Sequence, residues 1–176
     1  MNKNYIKLVV FICIVVLGFT IAILWLSWPS LTGKTYILDV PRPVDPFDIL
    51  RGQYMTIGYE VNRLVNITGV SEQDIGKTIF VKLKEDNLGI SRPDGIYFDK
   101  PETGDFIKGE IKSVHENSVN VEYGIENYFF ERDAFIDTRN MTVEVKIGSS
   151  GQARISKLLQ NGEPLVIKYR ENSLIG

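Results

Sequence analysis

The most constrained stretch of the chain runs from Pro41 to Arg63. Its first six residues include three prolines, each of which restricts φ and removes a backbone N–H donor. We therefore expect a turn, with room for one helical turn at Phe47 to Arg51 and with Gly52 as its terminator or as a bulge. From Gln53 onward apolar and polar residues alternate, which predicts a half-buried strand. The inward face of that strand is predicted to carry Met55, Ile57, Tyr59 and Val61.

An uncharged apolar run from Leu8 to Trp28 precedes this segment. At a rise of about 1.5 Å per residue, a helix of this length spans roughly the 30 Å core of a bilayer. The run therefore predicts a transmembrane helix over residues 8–28, ended by Pro29, with residues 29–33 as a linker. A cleaved signal peptide is the alternative, but its apolar region is usually about 7 to 15 residues long and ends in a small-residue cleavage site.

The charges that flank the apolar run predict its orientation. Lys3 and Lys7 lie on the N-terminal side, so the positive-inside rule places residues 1–7 in the cytoplasm. Residues 34–176 are then an extracytoplasmic domain of a protein in the cell membrane. Gly18 and Ala22 form a small-residue pair through which a homodimer could form, although such pairs are commonly incidental in apolar runs.

Composition limits the chemistry of the folded part. Cys13 is the only cysteine and lies in the apolar run, and His115 is the only histidine. We therefore predict no disulfide, no metal site and no cofactor. The net charge of −2 argues against a nucleic-acid partner, which would need a clustered basic face. The expected partners are the lipid bilayer and another membrane protein.

The rest of the chain reads as short strands separated by turn residues. Seven or eight strands without a strand-helix-strand rhythm predict a mainly β or α+β fold, either an antiparallel sandwich or an open barrel. Phe106 to Val114 and Val119 to Tyr123 suit a hairpin with a four-residue loop that has His115 at its tip. Gly124 to Asp137 is the best candidate for a helix after the apolar run, although Phe129 and Phe130 could equally extend the sheet.

Two separated segments carry a family resemblance. Gly52 to Tyr59 reads Gly-Gln-Tyr-Met-Thr-Ile-Gly-Tyr and resembles the signature that names the GDYXXLXY family, and Asp45 to Arg51 is similar to its usual lead-in. Tyr123 to Glu131 resembles the tyrosine-glycine and Tyr-Phe-x-Glu segment of that family. With the apolar run and the closing glycine-rich hairpin, the resemblance covers most of residues 8–163. It implies a bacterial membrane-anchored protein with no established activity.

The chain departs from the family signature at two positions. Ile57 stands where the family name has leucine, which changes little. Gln53 stands where it has aspartate, and this replacement removes a carboxylate. A role for that carboxylate as general base or metal ligand is therefore in doubt for this chain.

The carboxylates near the motif admit two interpretations. Asp45 and Asp48 would share one face of a helical turn, flanked by Arg42 and Arg51. They could form a cation site or an acid/base pair, or an ion-pair network that holds the turn together. We favour the structural interpretation, because no third oxygen ligand or nucleophile lies at a local spacing.

The second segment supplies two further carboxylates, Glu126 and Glu131, which flank Tyr128. We expect them to approach Arg51 across the fold, where a buried pair would hold the architecture together. The predicted binding or structural motif therefore consists of Asp45, Asp48, Arg51, Gly52, Gln53, Tyr54, Tyr59, Tyr123, Gly124, Glu126, Tyr128 and Glu131.

The function predicted from the sequence is a non-enzymatic binding or assembly module on a single-pass anchor, with no catalytic residue assigned. The alternative is a membrane-anchored hydrolase, for example a signal-peptidase-like protease. Such an enzyme needs a serine just beyond the anchor and a lysine to activate it. Ser30 is in roughly the right place, but no lysine stands out. His115 is interpreted as a solvated turn residue.

Overall fold

The computed structural model describes residues 3–43, 54–129, 134–135 and 139–169. Within these ranges the chain consists of one long N-terminal helix followed by short strands that pair in antiparallel sheets. The mainly β class predicted from the sequence is confirmed. The expected helical turn at Phe47 to Arg51 lies outside the described residues.

The N-terminal helix, α1, runs from Lys3 to Thr32. Its stretch from Lys7 to Leu24 is long and apolar enough to cross a membrane, and none of that stretch is buried against the rest of the chain. The predicted end at Pro29 is wrong, because helical backbone continues to Thr32. The prediction rested on the cost of proline within a helix, where it removes one hydrogen-bond donor and its ring clashes with the carbonyl group four residues earlier.

Fourteen strands follow within the described residues, and eight of them have five or more residues, in line with the predicted seven or eight. They are β1 (Lys34–Asp39), β2 (Arg42–Pro43), β3 (Tyr54–Gly58), β4 (Arg63–Val65), β5 (Thr78–Glu85), β6 (Ser91–Tyr97), β7 (Phe106–His115), β8 (Ser118–Glu122), β9 (Asn127–Phe129), β10 (Ala134–Phe135), β11 (Met141–Ile147), β12 (Ala153–Gln160), β13 (Glu163–Pro164) and β14 (Lys168–Tyr169). Two 3-10 turns, Glu60–Asn62 and Glu72–Asp74, lie between strands.

The strands form four antiparallel sheets. The largest has the order β4-β8-β7-β5-β6, and the second has the order β1-β11-β12-β13. A three-stranded sheet has the order β2-β3-β9, and β10 pairs with β14. Both large sheets contribute side chains to a single hydrophobic core.

Alternation along the strands explains which faces meet in that core. In β5 the buried side chains are Ile79, Val81 and Leu83, as their two-residue spacing predicts. β11 shows the same pattern over its whole length, from Met141 to Ile147. Because successive side chains of a strand point to opposite faces, each of these strands gives one face to the core and the other to solvent.

Two local predictions differ from the structure. The loop between β7 and β8 has two residues rather than four, because His115 pairs with Ser118 and extends the ladder. The helix expected at Gly124 to Asp137 is wrong for the described residues of that range. Asn127–Phe129 forms β9 and Ala134–Phe135 forms β10, in line with the alternative of an extended sheet. Pairing with β3 and β14 satisfies the backbone groups of these two strands.

Candidate functional site: a network of buried motif residues

The two sequence segments that carry the resemblance lie side by side. β3 pairs with β9 in the register Tyr54 to Phe129, Met55 to Tyr128 and Thr56 to Asn127. The pairing continues one residue before the start of β9, where the N–H of Ile57 in β3 donates to the carbonyl oxygen of Glu126 at 2.6 Å. Segments about 70 residues apart in sequence therefore form one local structure.

Two buried tyrosines link these segments in opposite directions. Tyr59 is only 3% exposed, and its hydroxyl donates to the carbonyl oxygen of Ile125 at 2.8 Å. Tyr123 is 6% exposed, and its hydroxyl donates to the carbonyl oxygen of Val61 at 2.7 Å. Each ring thus fills the core while its hydroxyl satisfies a backbone carbonyl of the other segment.

An amide and a carboxylate complete the network. The Oδ1 atom of Asn62 accepts a hydrogen bond from the backbone N–H of Tyr59 at 2.7 Å. The Nδ2 atom of Asn62 donates to the carbonyl oxygen of Val121 at 2.7 Å and to Oε1 of Glu126 at 2.9 Å. The same Oε1 accepts from the backbone N–H of Tyr123 at 2.7 Å. Glu126 is 8% exposed, and its other oxygen, Oε2, is buried without a hydrogen-bond partner among the described residues.

Burial controls the protonation of the two phenols. Desolvation raises the pKa of Tyr59 far above its ordinary value, and the nearby Glu126 carboxylate raises it further. The same two causes, in the same order, raise the pKa of Tyr123 well above its ordinary value. Both hydroxyls are therefore neutral donors at physiological pH, so neither serves as a general base there.

Gly124, Tyr128 and Tyr54 are the other motif residues that the structure describes. Gly124 has a φ of 78°, a left-handed conformation that glycine adopts without strain. Tyr128 is half-buried and packs against the hydrophobic core. For Tyr54 the structure describes the strand backbone and its pairing with Phe129. The remaining predicted site residues, Asp45, Asp48, Arg51, Gly52, Gln53 and Glu131, lie outside the described residues, so the expected pairing of Arg51 stays a prediction.

Two residues important to the network were not identified from the sequence. The alternation that starts at Gln53 predicts Asn62 on the polar face of the strand. In the structure β3 ends at Gly58, and Glu60–Asn62 forms a 3-10 helix. Gly109 was not singled out at all. A Cβ atom at this position would lie 2.8 Å from Cδ1 of Tyr123 and 2.9 Å from the carbonyl oxygen of Glu122. A glycine within an otherwise regular strand was the available signal, because it often marks a close approach.

Open grooves lie on the surface around this closed network. The groove that we call the β9–β12 groove has a volume of about 610 Å³ and is lined by residues of those strands, including Tyr128, Phe129 and Arg154. A second groove of about 680 Å³ lies beside the β7–β8 turn and is lined by Glu72 and His115, among others.

His115 is exposed in this second groove, as expected of a turn residue. Its Nε2 lies 3.4 Å from the hydroxyl of Ser113, which accepts a hydrogen bond from Asn120. Ser30, the serine of the protease alternative, falls within α1. In the parts of the chain that the structure describes, no three histidine, cysteine, aspartate or glutamate side chains are placed to hold a metal ion.

Comparison with protein families gives one match. The model of a family described as GDYXXLXY protein matches residues 15–158. The match covers the second half of the apolar stretch, both motif segments and nearly all of the two large sheets. No curated protein and no solved structure matches the chain.

Proposed function

Because this chain belongs to the GDYXXLXY family, whose description names a sequence motif and no reaction, we propose that it is a membrane-anchored binding or assembly module without catalytic activity. In this proposal α1 crosses the membrane once, and the β domain lies on the extracytoplasmic side. Its partner is a neighbouring protein of the same membrane.

The observation that carries the proposal is the internal use of the motif side chains. The hydroxyls of Tyr59 and Tyr123, the amide of Asn62 and one oxygen of Glu126 bind groups within the domain. A catalytic site needs donors, acceptors or nucleophiles that a substrate can reach. Buried groups that already bind each other instead favour a role in holding the domain together.

The exposed apolar helix supports the anchor. Side chains such as Phe11, Leu17 and Phe19 are more than half exposed on α1, and an apolar surface of this length is costly in water and favourable in a bilayer. The basic residues Lys3 and Lys7 precede it, which favours a cytoplasmic N-terminus.

The β9–β12 groove is the surface that we assign to the protein partner. Phe129 is 75% exposed there, and an exposed aromatic side chain beside a groove is typical of a contact surface. The groove also lies near the anchor. Ala153 of β12, which lines the groove, pairs with Ile147 of β11, and Ile147 pairs in turn with Lys34, just after α1. A neighbour in the same membrane can therefore reach it.

The test is photocrosslinking in intact cells, with a photoreactive amino acid introduced in place of Phe129. The matched control replaces Leu88, which is 81% exposed in the β5–β6 turn. We expect one reproducible adduct with a membrane protein from position 129 and none from position 88. The substitution Phe129→Asp should abolish the same adduct when the photoreactive group is moved to Gln152, which lines the groove. Identical adducts from positions 129 and 88, or none from 129, would contradict the proposal.

A further inference from the structure

A third surface feature, which we call the membrane-proximal cleft, lies where β1 leaves the anchor. It has a volume of about 420 Å³, and the polar side chains of its lining are Lys34, Tyr36, Lys100, Glu102, Asp105 and Ser149. This volume is within the range of about 300 to 1,000 Å³ that is typical of ligand sites in proteins. None of these residues belongs to the motif network.

The anchor places this cleft at the membrane surface. The apolar run ends at Trp28 and α1 continues to Thr32, which adds roughly 6 Å at about 1.5 Å per residue. The headgroup layer on one side of a bilayer is about 5 to 7 Å thick, from the difference between the hydrocarbon core and the whole bilayer. Lys34, two residues further on, therefore lies just beyond the outer edge of this layer, where its long side chain can reach the headgroups.

Part of the charge in the cleft is organised by an internal pair. Nζ of Lys34 donates to Oδ1 of Asp105 at 2.9 Å. Hydrogen bonds from Lys34 and then from Tyr36 lower the pKa of the Asp105 carboxyl below its ordinary value. Lys34 is 75% exposed in its side chain, so an ammonium with three N–H donors keeps donors available for a ligand.

The other two charges in the cleft belong to Lys100 and Glu102. Among the described residues, neither Lys100 nor Glu102 forms an ion pair with another side chain. Nζ of Lys100 lies 5.9 Å from the ring centre of Phe106, a cation–π distance that holds it at the cleft. The lining thus offers an uncommitted cation and an uncommitted carboxylate, and its two lysines and two carboxylates sum to no net charge.

We propose that the membrane-proximal cleft binds the headgroup of a zwitterionic phospholipid that carries a primary ammonium. The phosphate contacts Lys100 and Lys34, and the ammonium donates to the carboxylate of Glu102. A neutral cleft with separated charges matches a zwitterion better than an anion. The inference rests on the proposed function, because it needs the anchor to hold the cleft at the bilayer surface.

The test uses the full chain reconstituted in a bilayer of phosphatidylethanolamine, phosphatidylcholine and phosphatidylglycerol in equal parts. Native mass spectrometry after gentle extraction counts the lipids that stay bound. We expect phosphatidylethanolamine to be retained about fivefold over the other two, since one headgroup charge contact contributes about 1 kcal/mol, which is about fivefold in affinity. Equal retention of the three lipids, or a preference for phosphatidylglycerol, would overturn the proposal.

Charge reversal in the cleft gives a sharper comparison. Lys100→Glu should lose the preference for phosphatidylethanolamine, and the double variant Lys100→Glu with Glu102→Lys should regain it, because a zwitterion can bind in the reverse direction. Lys84→Glu makes the same charge change at an exposed site of β5 that does not line the cleft and should leave the preference intact. Loss of the preference in Lys84→Glu would show a net-charge effect and overturn the proposal. No recovery in the double variant would show that the separated charges of Lys100 and Glu102 are not what the lipid recognises, and would overturn it as well.

Two further measurements separate the possible sources of failure. Competition by inorganic phosphate as effective as competition by phosphoethanolamine would indicate a site for a free anion and overturn the lipid assignment. Retention of the protein in membranes at alkaline pH tests the anchor on its own. A protein that stays in the membrane without lipid selectivity refutes only this inference, whereas a protein that is extracted refutes the anchor of the proposed function.

Discussion

At the scale of single residues, Tyr59 and Tyr123 show how a motif can be structural. Each ring is buried, and each hydroxyl satisfies a carbonyl oxygen on the other segment. A phenol suits this position because it combines a large apolar ring with one donor at its tip. Phenylalanine would fill the same volume but leave a buried carbonyl without its partner, which typically costs about 1 to 3 kcal/mol.

The raised pKa values of these two tyrosines predict alkaline instability. The pKa of a tyrosine phenol is about 10 in the unfolded chain and higher than that in the folded protein. Its contribution to stability is therefore complete below pH 10 and is lost as the pH rises toward the pKa of the folded protein. We expect the free energy of unfolding of the full chain in detergent micelles to fall above about pH 10, by about 1.4 kcal/mol per pH unit for each group.

The double variant Tyr59→Phe with Tyr123→Phe is the control for this slope. It should be less stable at pH 8 but lose less stability between pH 10 and 11. A smaller slope should remain, because burial and the neighbouring Asp105 also raise the pKa of Tyr36. An unchanged slope in the double variant would refute the assignment of the alkaline transition to these residues.

Two glycines are required for different physical reasons, which predicts different outcomes of substitution. Gly109→Ala places a Cβ atom 2.4 Å from Cγ1 of Val121 and 2.9 Å from a backbone carbonyl oxygen. Overpacking of this kind costs about 1 to 3 kcal/mol, which denaturant unfolding would measure. Gly124 has open space around it but a positive φ, so Gly124→Asn should cost less than about 1 kcal/mol, because asparagine tolerates that conformation. Equal losses in the two variants would contradict this explanation.

At the scale of elements, one arginine connects parts of the fold that are distant in sequence. Arg92 of β6 donates from Nε to Asp86 at 3.0 Å and from Nη1 to Asp39 of β1 at 3.2 Å, and its guanidinium also pairs with Glu60. Glu60 begins the 3-10 turn that carries Asn62. The guanidinium therefore joins the edge strands of the two large sheets to the motif network, with a fork of donors that lysine lacks.

Removal of this guanidinium should leave three carboxylates close together. We expect Arg92→Met to lower the free energy of unfolding by about 1 to 2 kcal/mol, given that half-exposed pairs contribute up to about 1 kcal/mol each. The loss should be smaller in about 1 M salt, where the screening length is about 3 Å. Arg63→Met, at an exposed position of β4, should change stability by less than about 0.5 kcal/mol. Equal effects of the two substitutions would rule out a linking role for Arg92.

At the scale of the whole molecule, the helix and the β domain make different demands on their surroundings. The domain closes its own core, whereas no residue of the stretch Lys7–Leu24 is buried. α1 contacts β11 and β12, so the domain starts directly at the end of the anchor. This arrangement brings the membrane-proximal cleft and the β9–β12 groove to the side of the domain that lies next to the end of α1.

The proposed orientation predicts a pattern of thiol labelling in cells. Cys13 is the only cysteine, so a Cys13→Ser chain accepts single reporter cysteines. A membrane-impermeant maleimide should label Leu88→Cys in intact cells and Asn4→Cys only after permeabilisation, because a charged reagent does not cross a bilayer. The opposite pattern would place the domain in the cytoplasm and refute the orientation.

Features that depend on neighbours along the chain could be predicted from the sequence. The apolar run could be recognised because hydropathy and length decide whether a helix can span a bilayer. The inward faces of β3 and β5 could be recognised because alternation has a period of two residues. The family could be recognised because its two segments occur in order.

Contacts between residues distant in sequence could not be predicted in this way, because they depend on how the strands pair and pack. The hydroxyl of Tyr59 finds the carbonyl oxygen of Ile125, and Asn62 finds Glu126, because β3 pairs with β9 in one particular register. That register depends on burying both apolar faces in one core, a condition that involves the whole domain. For the same reason Gly109, which makes room for Tyr123, showed its importance only when the strands were placed beside each other.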